Sequence, residues 1–160
     1  MAKAGSKPRG DKPRNSRRGE GGSNGTMKFI IESDLSQQRE IQKRILDAVE
    51  DAGFTSDSVF AVKISLEEAL INAIKHGNKL DPKKKVRIEA SVSPGETEII
   101  IEDQGPGFDR GCVPDPTSIE NIEKCSGRGI LLIEAYMDEV EWTNRGRRLR
   151  MMKRNADGAA

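Results

Sequence analysis

Several things are scarce in this chain, and each scarcity excludes something. It holds two cysteines and one histidine in 160 residues. Cys112, Cys125 and His76 follow no zinc-ligand spacing, and two isolated cysteines read as ordinary reduced thiols. No apolar run is long enough to cross a membrane, and no apolar stretch of the kind found in secretory signals follows the basic start, so a cytoplasmic location is expected. There is no Gly-x-x-x-x-Gly-Lys-Ser/Thr segment and no Rossmann glycine fingerprint, which removes the two commonest phosphate-binding loops. No internal repeat is present. Net charge is also scarce, at +1 for the whole chain, but it is unevenly placed. Residues 1–26 carry seven Lys or Arg against Asp11 and Glu20, a net +5, which leaves −4 for residues 27–160. A body of that sign does not seek a polyanion, so nucleic acid is not an expected partner except through the basic tail.

What is present divides the chain into three parts. Residues 1–26 are rich in Gly, Ser, Lys, Arg and Pro, with no large apolar residue after Met1, and cannot bury enough surface to offset ordering entropy. They are expected to be a disordered tail, as is the extreme C-terminus, 155–160. Between them, 27–154 reads as one domain. A strand begins at Met27. A helix capped by Ser36 runs to about Ala52, with Ile41, Ile45, Ala48 and Val49 on one face, and Gly53 ends it. A second helix opens at Asp57 or Ser58 and runs to His76. Residues 86–92 and 98–102 alternate as two strands of a hairpin, 129–137 is a short apolar helix, and 139–143 and 148–153 form a last hairpin. The stretch 104–126 is a long loop punctuated by Gly and Pro, a pattern of functional lids or of disorder. The sum is an α+β two-layer sandwich, with a mixed or antiparallel sheet carrying its helices on one face.

The second helix carries the most chemistry. At about 100° per residue, Phe60, Ile64, Leu66, Leu70, Ile71, Ala73 and Ile74 sweep a broad apolar arc, with Val62 and Ala69 at its margin. Glu68, Asn72 and His76, together with Ser65, fall in the remaining sector, one turn apart. An Asn carbonyl is a suitable neutral ligand for Mg²⁺, and a carboxylate one turn earlier can orient or deprotonate a hydroxyl. The solvent face of any amphipathic helix can carry the same three residues. Glu67 doubles the acidic charge beside Glu68; it either raises the pKa of Glu68 or faces away.

Two glycine turns follow. Asp103-Gln-Gly105-Pro-Gly107 leaves the end of a strand, where a fixed carboxylate can accept a hydrogen bond from an exocyclic amine such as that of adenine, and the glycines let a flat ring approach the backbone. Gly127-Arg128-Gly129 precedes an apolar helix, so that backbone N–H groups and the positive end of the dipole face an anion, with Arg128 available for a charge-assisted contact. Taken singly, each is also what a plain tight turn or a flexible helix entrance looks like.

The three blocks in this order resemble the Bergerat-fold ATPases, the superfamily of gyrase B and the sensor histidine kinases. Glu68-x3-Asn72-x3-His76 is similar to their N box, Asp103-x-Gly105-x-Gly107 to the first glycine box and Gly127-x-Gly129 to the second. The short chain, the lid-like loop and the ending Met137-Asp-Glu-Val-Glu-Trp resemble, more narrowly, the bacterial anti-sigma-factor serine kinases, over roughly 27–154. The resemblance implies an ATP site with Mg²⁺ on Asn72, Glu68 as base, Asp103 on adenine, and Gly127 and Gly129 with the lid around the phosphates. It further implies a homodimer that binds a sigma factor and phosphorylates a serine of an anti-sigma antagonist, a small domain of the sulfate-transporter/anti-sigma-antagonist type. A non-catalytic module that keeps ATP and sequesters a regulatory partner is the alternative. A nucleic-acid adaptor acting through the tail is a third reading. The tail itself is no part of the family's pattern.

Overall fold

The structure is a computed structural model that describes residues 25–107 and 127–156. The expectations for the tail, for Cys112 and Cys125, and for most of the 104–126 loop lie outside those residues. Five strands, β1 (Gly25–Glu32), β2 (Lys85–Val92), β3 (Glu96–Glu102), β4 (Glu139–Thr143) and β5 (Arg148–Arg154), form one sheet in the order β1-β2-β3-β5-β4. Every neighbouring pair is antiparallel, which settles the mixed-or-antiparallel alternative. Among the described residues three α-helices, α1 (Gln38–Asp51), α2 (Ser56–Ile71) and α3 (Gly127–Tyr136), complete the two-layer α+β arrangement.

Strand alternation decides which face is covered. Val86, Ile88, Ala90, Ile99, Ile101, Leu149 and Met151 point inward and are buried with Val62, Leu66 and Leu70 of α2 and Ile45 and Val49 of α1. The opposite face carries charge in cross-strand pairs. Arg150 lies 2.8 Å from Glu98 and 3.2 Å from Glu139, and Lys85 lies 3.1 Å from Glu32. Such exposed pairs are each worth little, but opposite charges across strands fix register.

Several boundaries differ from the sequence expectation. β1 begins at Gly25, two residues before Met27, because Gly25 and Thr26 continue the ladder opposite Val92 and Ser91. Asp34, rather than Ser36, supplies the first cap: its Oδ1 accepts the Ser36 N–H at 2.9 Å and opens a 3₁₀ turn that leads into α1. Thr55 caps α2, its Oγ1 accepting the Ser58 N–H at 3.3 Å, so that helix starts at Ser56. Asn155 and Ala156, expected in a loose terminus, are anchored. Asn155 accepts the Thr55 N–H at 3.1 Å and donates to the carbonyls of Gly53 and Pro94, and the Ala156 N–H reaches Ser58 Oγ. The second helix is α-helical only to Ile71. Asn72–Gly77 is a π-helical turn, a wider i→i+5 winding that is frequent at functional sites. Among the described residues no helix is long and apolar enough to cross a membrane.

Candidate functional site

The π-helical turn ends beside the exit of β3, and that junction builds a cleft of about 290 Å³. Asn72, His76 and Gly77 form one wall, Asp103 and Gly107 another, and Trp142, Arg147 and Leu149 from the last hairpin a third. Ala69, Ala73 and Ile101 supply an apolar floor. An apolar slot with a few convergent polar groups is the usual form of a small-molecule site.

Asp103 sits at the inner end. Its N–H donates to the Arg147 carbonyl at 3.0 Å, and its Oδ1 accepts the Gly105 N–H at 2.8 Å. Burial pushes its carboxyl above the usual range, with a smaller push from Glu102; the Gly105 N–H, Arg147 and Lys84 pull it back. A side chain at Gly77 would meet the Asp103 carboxylate at 2.5 Å, and one at Gly105 would strike the Gly77 carbonyl. These two glycines are therefore required for the end of the N-box helix and the first glycine turn to touch. Gly107 has φ of +80° and lies against the Arg145 backbone, where an L side chain is strained as well as crowded.

At the other end, a side chain at Gly129 would come within 2.8 Å of Glu68 Oε2 and 3.3 Å of Asn72 Nδ2. The slit expected to be open on α2 is thus covered by the start of α3. Glu68 lies against Gly129 of that cover and is outside the cleft lining, whereas Asn72 is part of it. Asn72 Nδ2 is buried with no hydrogen-bond partner among the described residues, and so is Ser65 Oγ on the same stripe. Leaving a buried polar atom without a hydrogen bond is costly. A half-turn of the amide presents Oδ1 in the same place, a neutral oxygen ligand of the kind Mg²⁺ takes beside water and phosphate. Among the described residues no group of three His, Cys, Asp or Glu side chains could hold a metal ion.

His76 is exposed at the cleft lip, where burial of its ring and then the adjacent Lys75 hold its pKa below the usual value. Glu67 lines the groove between α1 and α2 with Lys63 and Lys75, so of the two alternatives it faces away from Glu68. Gly127 and Arg128 form the first turn of α3, which begins two residues earlier than expected; the contact proposed for Arg128 lies outside what is described.

Sequence reasoning gave no site role to Asn78, Arg147 or Trp142. Arg147 Nε donates to the Gly105 carbonyl at 2.6 Å and one of its terminal nitrogens to the Pro106 carbonyl at 3.3 Å, pinning the first glycine turn to the last hairpin. Nothing local in 144–148 signals this, because the contact joins residues 42 positions apart.

The profile of the histidine kinase-like ATPase domain matches residues 31–153. The chain is 39% identical over 90 residues to an anti-sigma F factor of Oceanobacillus iheyensis, covering 54% of this chain and 61% of that protein. It is 35% identical over 106 residues to an anti-sigma F factor of Clostridium perfringens, covering 62% and 75%. With the serine-protein kinase RsbW of Bacillus subtilis it shares 33% over 98 residues, covering 58% and 61%. The matched region thus spans about three-fifths to three-quarters of these relatives. In fold it is similar to the RsbU and RsbW domains of a Mycobacterium tuberculosis protein, with a TM-score of 0.56, 13% identity, and coverage of 82% of this chain and 32% of that one.

Proposed function

This chain belongs to the histidine kinase-like ATPase domain family, in its anti-sigma-factor serine kinase branch, and from that premise we propose that it binds Mg²⁺-ATP and phosphorylates a serine of an anti-sigma antagonist while sequestering a sigma factor. The observation that carries the reading is the meeting of three separated sequence blocks in one place. Gly77 lies on Asp103, and Gly129 lies on Glu68 and Asn72, with an unpartnered Asn72 amide between them.

In this reading the Asp103 carboxylate accepts a hydrogen bond from the exocyclic amine of adenine, while Ile101, Ala73 and Leu149 enclose the ring in apolar surface. Asn72 would hold Mg²⁺, which when bound neutralises phosphate charge. The first turn of α3, opened by Gly127, Arg128 and Gly129, presents N–H groups and a positive dipole end to the phosphates. Glu68, one turn before Asn72, takes the proton of the attacking serine hydroxyl. His76 at the lip adds a polar contact beside the nucleotide. Catalysis is then mainly positioning and charge neutralisation rather than covalent chemistry. The relatives include an anti-sigma F factor and a serine-protein kinase; a sigma factor and an anti-sigma antagonist as partners, and a homodimer, are proposed for this chain.

Single-turnover phosphorylation of a partner recovered from the native cell with ATP tests the assignment. Glu68→Gln should keep ATP affinity within severalfold and lose transfer by roughly 10²–10⁴-fold, the usual worth of a general base. Asn72→Ala should lose the metal and transfer together, and Glu67→Gln, which faces the α1–α2 groove, should be mild. Undiminished transfer by Glu68→Gln removes Glu68 as base. A wild type that binds ATP but transfers to no partner leaves an ATP-dependent binding module.

A further inference from the structure

The residue after the N-box turn, Asn78, is fully buried, and none of its side-chain hydrogen-bonding capacity faces the cleft. Its Oδ1 accepts the N–H of Gln104 at 2.8 Å. Its Nδ2 donates to Ser33 Oγ at 2.9 Å and to the Lys85 carbonyl at 3.0 Å. Lys85 in turn gives its N–H to Gln104 Oε1 at 2.8 Å, and Ser33 Oγ donates to the Lys84 carbonyl at 2.7 Å. Asn78, Gln104 and Lys85 thus close a ring of three hydrogen bonds that fastens the helix exit, the start of β2 and the peptide following Asp103.

We propose that Asn78 is a positioning residue for base recognition: through Gln104 it fixes where the Asp103 carboxylate stands, and so sets the preference for adenine over guanine. The proposal rests on the nucleotide-binding reading above. Adenine offers an exocyclic amine at the position where guanine offers a carbonyl, so a fixed carboxylate accepts from one and repels the other. Discrimination of this kind requires a carboxylate that cannot swing aside to relieve the repulsion. The backbone of Asp103 is held on one side by its N–H bond to the Arg147 carbonyl. The Asn78–Gln104 bond holds the next residue on the other side. The path leading out of Asn78 is strained. Lys79 and Leu80 both have positive φ, 53° and 58°, a region that L residues avoid and that persists only where surrounding bonds determine it. That exit is held by the Leu80 N–H on the Ile74 carbonyl at 2.9 Å and the Asp81 N–H on the Asn78 carbonyl at 3.1 Å, and the buried Asn78 amide ties its base to Ser33, Lys85 and Gln104.

The test is the ratio of ATP to GTP affinity, measured by calorimetry with Mg²⁺ on the full chain, for the wild type, Asn78→Ala and Gln104→Ala, with a melting curve for each. Gln104→Ala keeps the backbone N–H that Asn78 holds and removes only the Lys85 link of the ring, which is why its expected effect is the smaller; Gln104 is exposed and outside the cleft lining, so this variant keeps the fold if Asn78→Ala does not. The expected result is that the ATP:GTP ratio falls at least tenfold in Asn78→Ala and at least threefold in Gln104→Ala, with GTP affinity changed less than ATP affinity. A purely structural role lowers the melting temperature and weakens both nucleotides in parallel. An unchanged ratio in the folded variants overturns the positioning role and leaves the nucleotide site standing. A wild type with no preference for ATP overturns the base-recognition reading itself.

Discussion

Asp103 shows how one carboxylate can make a site sensitive to pH. Its folded pKa is raised, chiefly by burial, so the ionised form is disfavoured in the folded protein relative to the unfolded chain. The sign for stability follows: ionised Asp103 costs the fold stability at neutral pH, and that cost is relieved as pH falls through the raised pKa. The sign for the ligand is opposite, because only the ionised carboxylate accepts freely from the adenine amine. ATP affinity should therefore decline on acidification in a window above the ordinary carboxylate range, with the apo protein's own stability not falling on that group's account. Asp103→Asn should weaken ATP binding by about 1–3 kcal/mol at neutral pH and abolish that part of the pH dependence. Calorimetric titrations at several pH values decide this, and an identical acid profile in wild type and Asp103→Asn would mean another group is responsible. At this scale the sequence was informative: Asn72 and Asp103, singled out from motif spacing, both line the cleft, and Glu68 and Gly129 meet beside Asn72, outside that lining. Arg147 and Asn78 were invisible because their partners lie 42 and 26 residues away, and no short spacing encodes a pairing across the sheet.

The elements show where periodicity runs out. The apolar arc of α2 was read from Phe60, yet Phe60 is half exposed and meets Tyr136 edge-on at 5.8 Å between ring centroids. Val62 and Ala69, placed at the margin, are buried, and Ser65, placed in the polar sector, is fully covered. The physical reason is that α2 packs against the sheet, α1 and α3 together, so nearly its whole circumference is enclosed and apolar contrast around it is weak. Periodicity identifies such a segment as helical without saying which way it faces. Leu66, with no exposed surface, and Phe60 therefore differ in a measurable way. Leu66→Ala should cost about 2–5 kcal/mol, the range for core truncations, whereas Phe60→Ala should cost about 0.5–1.5 kcal/mol, near the value of one exposed aromatic pair. Urea unfolding of the two variants ranks them; a larger loss for Phe60→Ala would place the helix in the other orientation. The π-helical turn at Asn72–Gly77 was likewise not legible, since a one-residue widening leaves the same four-residue spacing of Glu68, Asn72 and His76 in the sequence.

At the scale of the whole molecule, the sheet order brings distant segments to one cleft. β5 inserts between β3 and β4, so the hairpin carrying Trp142 and Arg147 lies beside Asp103, while α3 crosses the N-box stripe of α2. The α+β class and the one-sided helical layer were legible in strand alternation and in the order of elements, while the choice between a mixed and an antiparallel sheet was left open. The insertion of β5 was not, because it depends on which edge of β3 the last hairpin meets. The central claim is that this convergence makes an ATP site, and isothermal titration of the full chain with ATP in the presence of Mg²⁺ tests it most directly. Saturable binding, lost on removing Mg²⁺ or in Asn72→Ala and weakened in Asp103→Asn, is the result expected. No detectable binding of Mg²⁺-ATP by the folded wild-type chain contradicts it.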